Sequence, residues 1–260
     1  MNRLATLFSS SSGNCTLVCN NDTNILIDAG VSVSRIVASL KEFNLDICEI
    51  DGIVITHEHT DHIKAVGALS RKFNIPVYAN EPTMSELIAS VGDLHDRNIR
   101  IIQSGKNFDI RSMGITPFSI PHDAKAPMGY TIDLGDSRVS VATDTGHITK
   151  SMLINMSKSD AVLIESNHDE NMVKNGKYPY ALKKRILSDN GHLSNDNAAW
   201  LATQLAMWGT KKIILGHLSD NNNIPEIAYK TTEKKLCENN IKPNNDVLLK
   251  VASKNNPCMV

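Results

Sequence analysis

His57, His59, Asp61 and His62, four candidate metal ligands, fall within six positions of Thr56-His57-Glu58-His59-Thr60-Asp61-His62, directly behind the apolar run Ile53-Val54-Ile55. Imidazole nitrogens and carboxylate oxygens are borderline-to-hard ligands suited to Zn²⁺, Mn²⁺ or Fe²⁺. Residues two apart on an extended backbone point the same way, so His57 and His59 can grip one ion together. Asp61 and His62 come after a turn and face a second position. Apolar residues recur at helical spacing over 63–73, which sets Asp61 at a helix N-terminus, where a carboxylate is favoured. The alternative is a polar loop with chance histidines, and so dense a set of ligand types argues against it.

The elements that must position these groups are short apolar runs, each ending in an acidic residue or a histidine. Asn24-Ile25-Leu26-Ile27 ends at Asp28, the run from Ile115 to Pro121 ends at His122, and Val139-Ser140-Val141-Ala142-Thr143 ends at Asp144. Ala161-Val162-Leu163-Ile164 ends at Glu165, and Ile213-Ile214-Leu215-Gly216 ends at His217. One such residue after a strand is ordinarily a cap or a turn. Six apolar runs ending this way are better explained as one constellation along one edge of a sheet sandwich. Further strands are expected at 3–8, 15–18, 74–79, 99–102, 130–134 and 247–251, and helices at 34–43, 81–91, 180–189, 195–208 and around 231–239. The small-residue loop 9–14 exposes N–H groups and hydroxyls that can meet a phosphate or simply turn the chain, and its composition favours turning. His95, in a polar stretch, is assigned to the surface.

A chain of 260 residues can bury a full core, and candidate ligands running from Asp28 to His217 favour a single domain over 1–260. The hydrophobic share of 41% and charged share of 21% are those of an ordinary globular protein, which excludes a disordered or fibrous chain. No apolar stretch approaches the ~20 residues of a membrane span and no signal-peptide pattern opens the chain, so a cytoplasmic protein without membrane contact is expected. Cys15, Cys19, Cys48, Cys237 and Cys258 form no Cys-x-x-Cys pair and read as reduced thiols. A formal net charge of −1 gives no global attraction to nucleic acid. If nucleic acid is the substrate, local patches must meet its phosphates. Lys183-Lys184-Arg185, Lys211-Lys212 and Lys234-Lys235 are candidates, each with the plainer reading of a solvated helix face or strand edge.

His-x-His-x-Asp-His after a buried strand resembles the signature of the metallo-β-lactamase superfamily of dinuclear metal hydrolases. The resemblance implies an αββα sandwich of two mixed sheets with helices outside. It implies that His57, His59 and His122 hold one divalent ion, that Asp61, His62 and His217 hold a second, and that Asp144 bridges them, with zinc or manganese, or alternatively iron, as the metal. Asp28 is carried over as the residue that orients histidine N–H groups, and Asp61 counts among the catalytic residues. Glu165-Ser166-Asn167-His168-Asp169 and Gly191-His192-Leu193-Ser194-Asn195 resemble loops of the superfamily's nucleases, in which a Glu and His pair serves proton transfer; here that pair is Glu165 and His192. A proton on the leaving oxygen is what phosphodiester cleavage requires, and histidine titrates near neutrality.

Together with Ser-Ser-Gly-Asn at 11–14 and Thr-Asp-Thr-Gly at 143–146, these motifs resemble the bacterial YycJ/VicX/WalJ group. That likeness implies a metal-dependent 5′-to-3′ DNA exonuclease associated with DNA repair and a cell-wall regulon. Ser12, Asn14, Asn167, His168, Ser194 and Asn195 are then expected to contact substrate. Too few residues separate Asp144 from His217 for the inserted domain of the β-CASP nucleases, and no long Gly/Pro-rich arm of a tRNA 3′-processing enzyme is present. The flavodiiron proteins place Glu where this chain has His59. Two readings stay open beside the exonuclease: a small-molecule phosphodiesterase or ester hydrolase, and a metal-binding scaffold without turnover.

Overall fold

The structure, a computed structural model, describes residues 2–260. Alternate residues of its strands point to opposite faces and are buried on both, so each sheet must be covered twice. Strands β1 (Arg3–Phe8), β2 (Cys15–Cys19), β3 (Asn24–Ile27), β4 (Gly52–Val54), β5 (Val77–Ala79) and β6 (Ile99–Ile101) lie side by side in chain order. A second sheet repeats the plan with β7 (Phe108–Ile110), β8 (Met113–Ser119), β9 (Met128–Asp133), β10 (Arg138–Ala142), β11 (Ala161–Glu165), β12 (Lys212–Gly216) and β13 (Leu248–Val251). The last strand, β14 (Cys258–Met259), returns to pair with β1 as the seventh strand of the first sheet. In each sheet a run of strands is parallel, β3 to β6 and β10 to β13. Parallel neighbours need crossover connections, so their C-terminal ends and the loops that follow gather on one edge.

Three apolar layers follow from the alternation. Ile25, Ile27 and Val54 of the first sheet meet Tyr130, Ile132, Val141, Leu163 and Ile214 of the second. On the outer face of the first sheet, Leu26 and Ile53 pack under α1 (Val33–Lys41), α3 (Val66–Phe73) and α4 (Glu81–Val91), reached past the short α2 (Thr60–Ile63). On the outer face of the second, Val162, Ile164, Ile213 and Leu215 pack under α5 (Lys150–Met156), α8 (Asn195–Met207) and α9 (Pro225–Glu238). Two further helices, α6 (Glu170–Asn175) and α7 (Tyr180–Ile186), lie between β11 and α8. The order helix, sheet, sheet, helix is the αββα sandwich the motif implied.

Several boundaries differ from the sequence reading for identifiable reasons. The helix expected from Asp61 is broken, because the Ala65 N–H leaves the helical ladder to bond the Ala29 carbonyl at 2.8 Å. That break ties the histidine-rich loop to the loop behind β3. Helix α9 begins at Pro225 rather than 231, with proline in the first turn, where its missing N–H costs nothing. Helices α5 and α6 and the strands β7 and β14 are too short, at seven, six, three and two residues, to declare a period in the sequence.

Candidate metal centre

Every ligand-type residue singled out in the sequence leaves the edge of the sandwich where the parallel strands end. Asp28 follows β3, the segment 57–62 follows β4, His122 follows β8 and Asp144 follows β10; Glu165 closes β11 and His217 follows β12. Three of them, Asp28, Asp144 and His217, have left-handed backbones, with φ of 62°, 58° and 55°. That conformation costs an L-residue roughly 1–2 kcal/mol and persists only where the surroundings fix it. At His217 they do: its N–H donates to Ser9 Oγ at 2.8 Å, and Asn167 Nδ2 donates to its carbonyl at 3.0 Å.

The turns deliver two triads. His57, His59 and His122 bring one ligand atom each to within 4.8 Å of one another, and so do Asp61, His62 and His217. Asp144 stands between them. Its Oδ1 is 3.1 Å from His217 Nε2 and 3.7 Å from His122 Nε2, and its Oδ2 is 3.2 Å from His62 Nε2. Glu58 points away from both triads, accepting from the Lys125 N–H at 2.8 Å. The alternation expected of an extended backbone thus sorts His57 and His59 from the residue between them.

Outer partners hold the Nδ1 atoms, while His62 Nε2 lies 3.1 Å from Asn14 Nδ2. His62 Nδ1 donates to Asp28 Oδ2 at 2.7 Å, and Asp28 also accepts the Thr56 N–H at 2.8 Å and the Thr56 hydroxyl at 2.7 Å. That hydroxyl lies 3.0 Å from His57 Nδ1, so one carboxylate orients two imidazoles. His122 Nδ1 donates to the Gly191 carbonyl at 3.0 Å and His217 Nδ1 to Asn14 Oδ1 at 3.2 Å. Backbone or carboxylate support of the second ring nitrogen is the usual mark of a metal-ligating histidine. His57 Nε2, His122 Nε2 and Asp144 Oδ2 are buried without a hydrogen-bond partner. Orphaned polar atoms are costly in a folded interior, and three that converge in a set of imidazole and carboxylate groups fit a divalent cation.

The charges agree with that fit. Burial pushes His57 well down and His122 down, keeping both in the neutral form that binds metal. Burial opposes ionisation of Asp144, yet the neighbouring His217 and His62 hold its carboxyl well below the usual range. His62 is the exception: burial would lower it, but Asp144, Asp28 and Asp61 raise it well above its ordinary value, so a cation would have to displace its proton.

Beside the triads, Glu165 is fully buried, with Oε1 2.7 Å from His192 Nδ1. Burial alone would depress His192, but the Glu165 carboxylate overrides it and lifts the imidazole to about 9. The loops expected to meet substrate divide. Ser12 is exposed at the rim, with its hydroxyl 2.9 Å from that of Ser10. Asn14 is buried, its amide spent on His217, His62 and Asp61. Asn167 braces His217, Ser194 caps α8, and Asn195 bonds Ser166 and Asn223 in the interior. His168 is buried and held down to about 4, chiefly by burial. Asn14, Asn167, Ser194 and Asn195 are therefore engaged within the chain itself, and the Ser12 hydroxyl and His168 Nδ1 have local partners in Ser10 and Asn167. Thr56 and Ser9 escaped the sequence reading. The signal for Thr56 was its place immediately before His57; Ser9 was read only as part of the loop 9–14, and its bond to His217 was hidden because that partner is 208 positions away.

Residues 23–218 match the β-lactamase superfamily domain family. The chain is 37% identical to exodeoxyribonuclease YycJ of Bacillus anthracis over 89% of its own length and 88% of the relative's. It is 39% identical to exodeoxyribonuclease WalJ of Streptococcus pneumoniae, covering 89% and 87%. Among solved structures it resembles the metallo-β-lactamase fold protein YhfI of Bacillus subtilis, with a TM-score of 0.74 at 14% identity and 99% coverage of both chains. The short form of human tRNase Z gives 0.67 at 13% identity, covering 98% of each chain. With this sandwich, this ligand constellation and these relatives, the chain belongs to the metallo-β-lactamase superfamily, in the group that contains YycJ and WalJ.

Proposed function

We propose that the chain is a dinuclear metal-dependent phosphodiesterase that degrades DNA from a 5′ end. The observation that carries this reading is the placement of Asp144 within ligand distance of both triads, beside the Glu165–His192 pair. His57, His59 and His122 would hold one ion, Asp61, His62 and His217 the other, and Asp144 both, with zinc or manganese as the expected metal and iron as an alternative. Two such ions supply Lewis-acid polarisation of a phosphoryl group and make water nucleophilic at neutral pH.

The rest is work for the chain's own side chains. Asp144 is kept ionised, so both metal positions retain their shared anion. Glu165 binds His192 Nδ1 and so leaves the Nε2–H as the proton available to a substrate. His192 Nε2–H gives its proton to the leaving oxygen, and the buried Glu165 carboxylate stabilises the imidazolium until then. DNA as the substrate rests on the exodeoxyribonuclease relatives, and the 5′ direction on the motif resemblance to the YycJ/VicX/WalJ group. A DNA substrate and five free cysteines support a reducing, cytoplasmic site of action.

The test compares end-labelled linear DNA with covalently closed circular DNA in Mn²⁺, with Asp61→Ala as the inactive control. Loss of the linear form from its 5′ end with the circle intact is expected. Equal cleavage of both would reject exonuclease action, and cleavage of neither would leave a small-molecule diester as the substrate.

A further inference from the structure

One basic segment is left unexplained by the metal centre. Residues 170–188 carry Lys174, Lys177, Lys183, Lys184 and Arg185 against a single anion, Glu170, in a chain of formal net charge −1. Glu170 is engaged by Lys174 at 2.7 Å, Lys183 Nζ donates to the Lys174 carbonyl, and Arg185 pairs with Asp123. Lys177 and Lys184 have neither an ion pair nor a hydrogen bond among the described residues. Tyr180, at the start of α7, is 81% exposed.

This segment is strapped across the metal edge. On one side the Tyr178 hydroxyl accepts from Asn221 Nδ2 at 2.8 Å, in the loop behind His217. On the other, Arg185 reaches Asp123, directly after His122. Just beyond, the Asp189 carbonyl takes His147 Nδ1 at 2.9 Å and the Gly191 carbonyl takes His122 Nδ1 at 3.0 Å. The strap therefore runs between the loops that present His217 and His122, and it continues into His192.

Helix electrostatics account for part of the charge, since cations in a last turn favour the C-terminal end of the dipole, and Lys183, Lys184 and Arg185 stand there. They do not account for Lys177, which precedes the helix, or for an aromatic ring left in water. Tyr180 and Lys184 are four apart on α7 and share a face. An exposed ring flanked by unpaired cations, beside a phosphodiester-cleaving site, has the chemistry of a single-strand contact. Stacking needs only the π-face of an unpaired base, and the cations follow the backbone irrespective of sequence.

Resting on the phosphodiesterase reading, we propose that the strap guides single-stranded DNA into the metal centre, with a base stacked on Tyr180 and phosphates met by Lys177 and Lys184. Duplex DNA, whose bases are already stacked, gains nothing from Tyr180. The experiment uses the Mn²⁺-loaded full chain and a 5′-phosphorylated single-stranded oligonucleotide, with bis-p-nitrophenyl phosphate as the small diester. Tyr180→Ala should raise KM for the oligonucleotide roughly thirtyfold, the middle of the range for one stacked base. Tyr180→Trp should restore it. Lys177→Gln combined with Lys184→Gln should raise KM and flatten the slope of log KM against log salt by about 1.4, two contacts at about 0.7 each on a single strand. Turnover of the small diester should stay at the wild-type level in every variant, which shows that the fold and the metal centre are intact. If the wild type digests the oligonucleotide and the variants match it in KM and salt slope, the strap assignment is overturned while the nuclease reading stands. An equal rise in KM on blunt duplex would overturn the single-strand guide. A wild type that turns over the small diester but neither digests nor binds DNA overturns both readings.

Discussion

Glu165 Oε1 sits 2.7 Å from His192 Nδ1, and its second oxygen is fixed by the N–H groups of Thr145 at 2.8 Å and Leu193 at 3.1 Å. The carboxylate therefore cannot swing away, and its charge is committed to the imidazole.

A pH dependence follows with a definite sign. His192 is lifted to about 9, so it carries its proton through neutrality and loses it only on the alkaline side. Glu165→Gln removes the charge that opposes burial, and the pKa must then fall. The alkaline limb of the kcat/KM profile on DNA should move to lower pH. A limb in the same place in the variant would show that His192 is not the group titrating there.

Proton donation also makes a prediction about leaving groups. His192→Ala should lower turnover of DNA by roughly 10²–10⁴, the range for a general acid. Against bis-p-nitrophenyl phosphate the loss should shrink, because p-nitrophenolate leaves without a proton. The metal content of the variant should stay near wild type, since the Nδ1 atom of His192 belongs to Glu165. Equal losses on both substrates would remove the donor role.

Much of the fold and of the candidate site could be read from residues 24–28, 53–62, 139–144 and 213–217, because short buried parallel strands announce themselves as uninterrupted apolar runs. Residues that chemistry needs stand where such runs stop. What was hidden depended on pairing across the chain. Asn14 reads as a loop residue open to substrate, yet the strand pairing of β1 with β2 brings its amide to His217, 203 positions away. The same holds for Ser9, and for Ala65, whose bond to Ala29 breaks a helix that local periodicity would have continued. Local pattern fixes which residues face inward; it carries no record of which distant loop will take up a given N–H.

The shared ligand predicts a metal stoichiometry. If Asp144 belongs to both positions, the purified chain should load close to two divalent ions, and Asp144→Ala should lose affinity at both. Element analysis by inductively coupled plasma mass spectrometry reads this directly. One ion per chain, unchanged by the substitution, would contradict the dinuclear arrangement.

The last prediction separates charge from shape at Asp28. Its backbone is left-handed at φ 62°, a conformation that asparagine tolerates well, so Asp28→Asn keeps the turn and nearly the same volume. What it removes is the anion that accepts from His62 Nδ1 and, through Thr56, steers His57. The amide keeps one carbonyl oxygen and turns an acceptor into a donor aimed at groups that themselves donate. Metal affinity should fall by roughly 10–100-fold, the usual cost of losing a ligand's outer partner. The deficit should be larger for the ion held by His62, which bonds Asp28 directly, than for the one held by His57, which is reached through a hydroxyl. Competition titration with a chromophoric chelator resolves the two steps. Two equal losses would mean that Asp28 supports the loop as a whole, and no loss would mean that the 2.7 Å contact to His62 does not tune the metal.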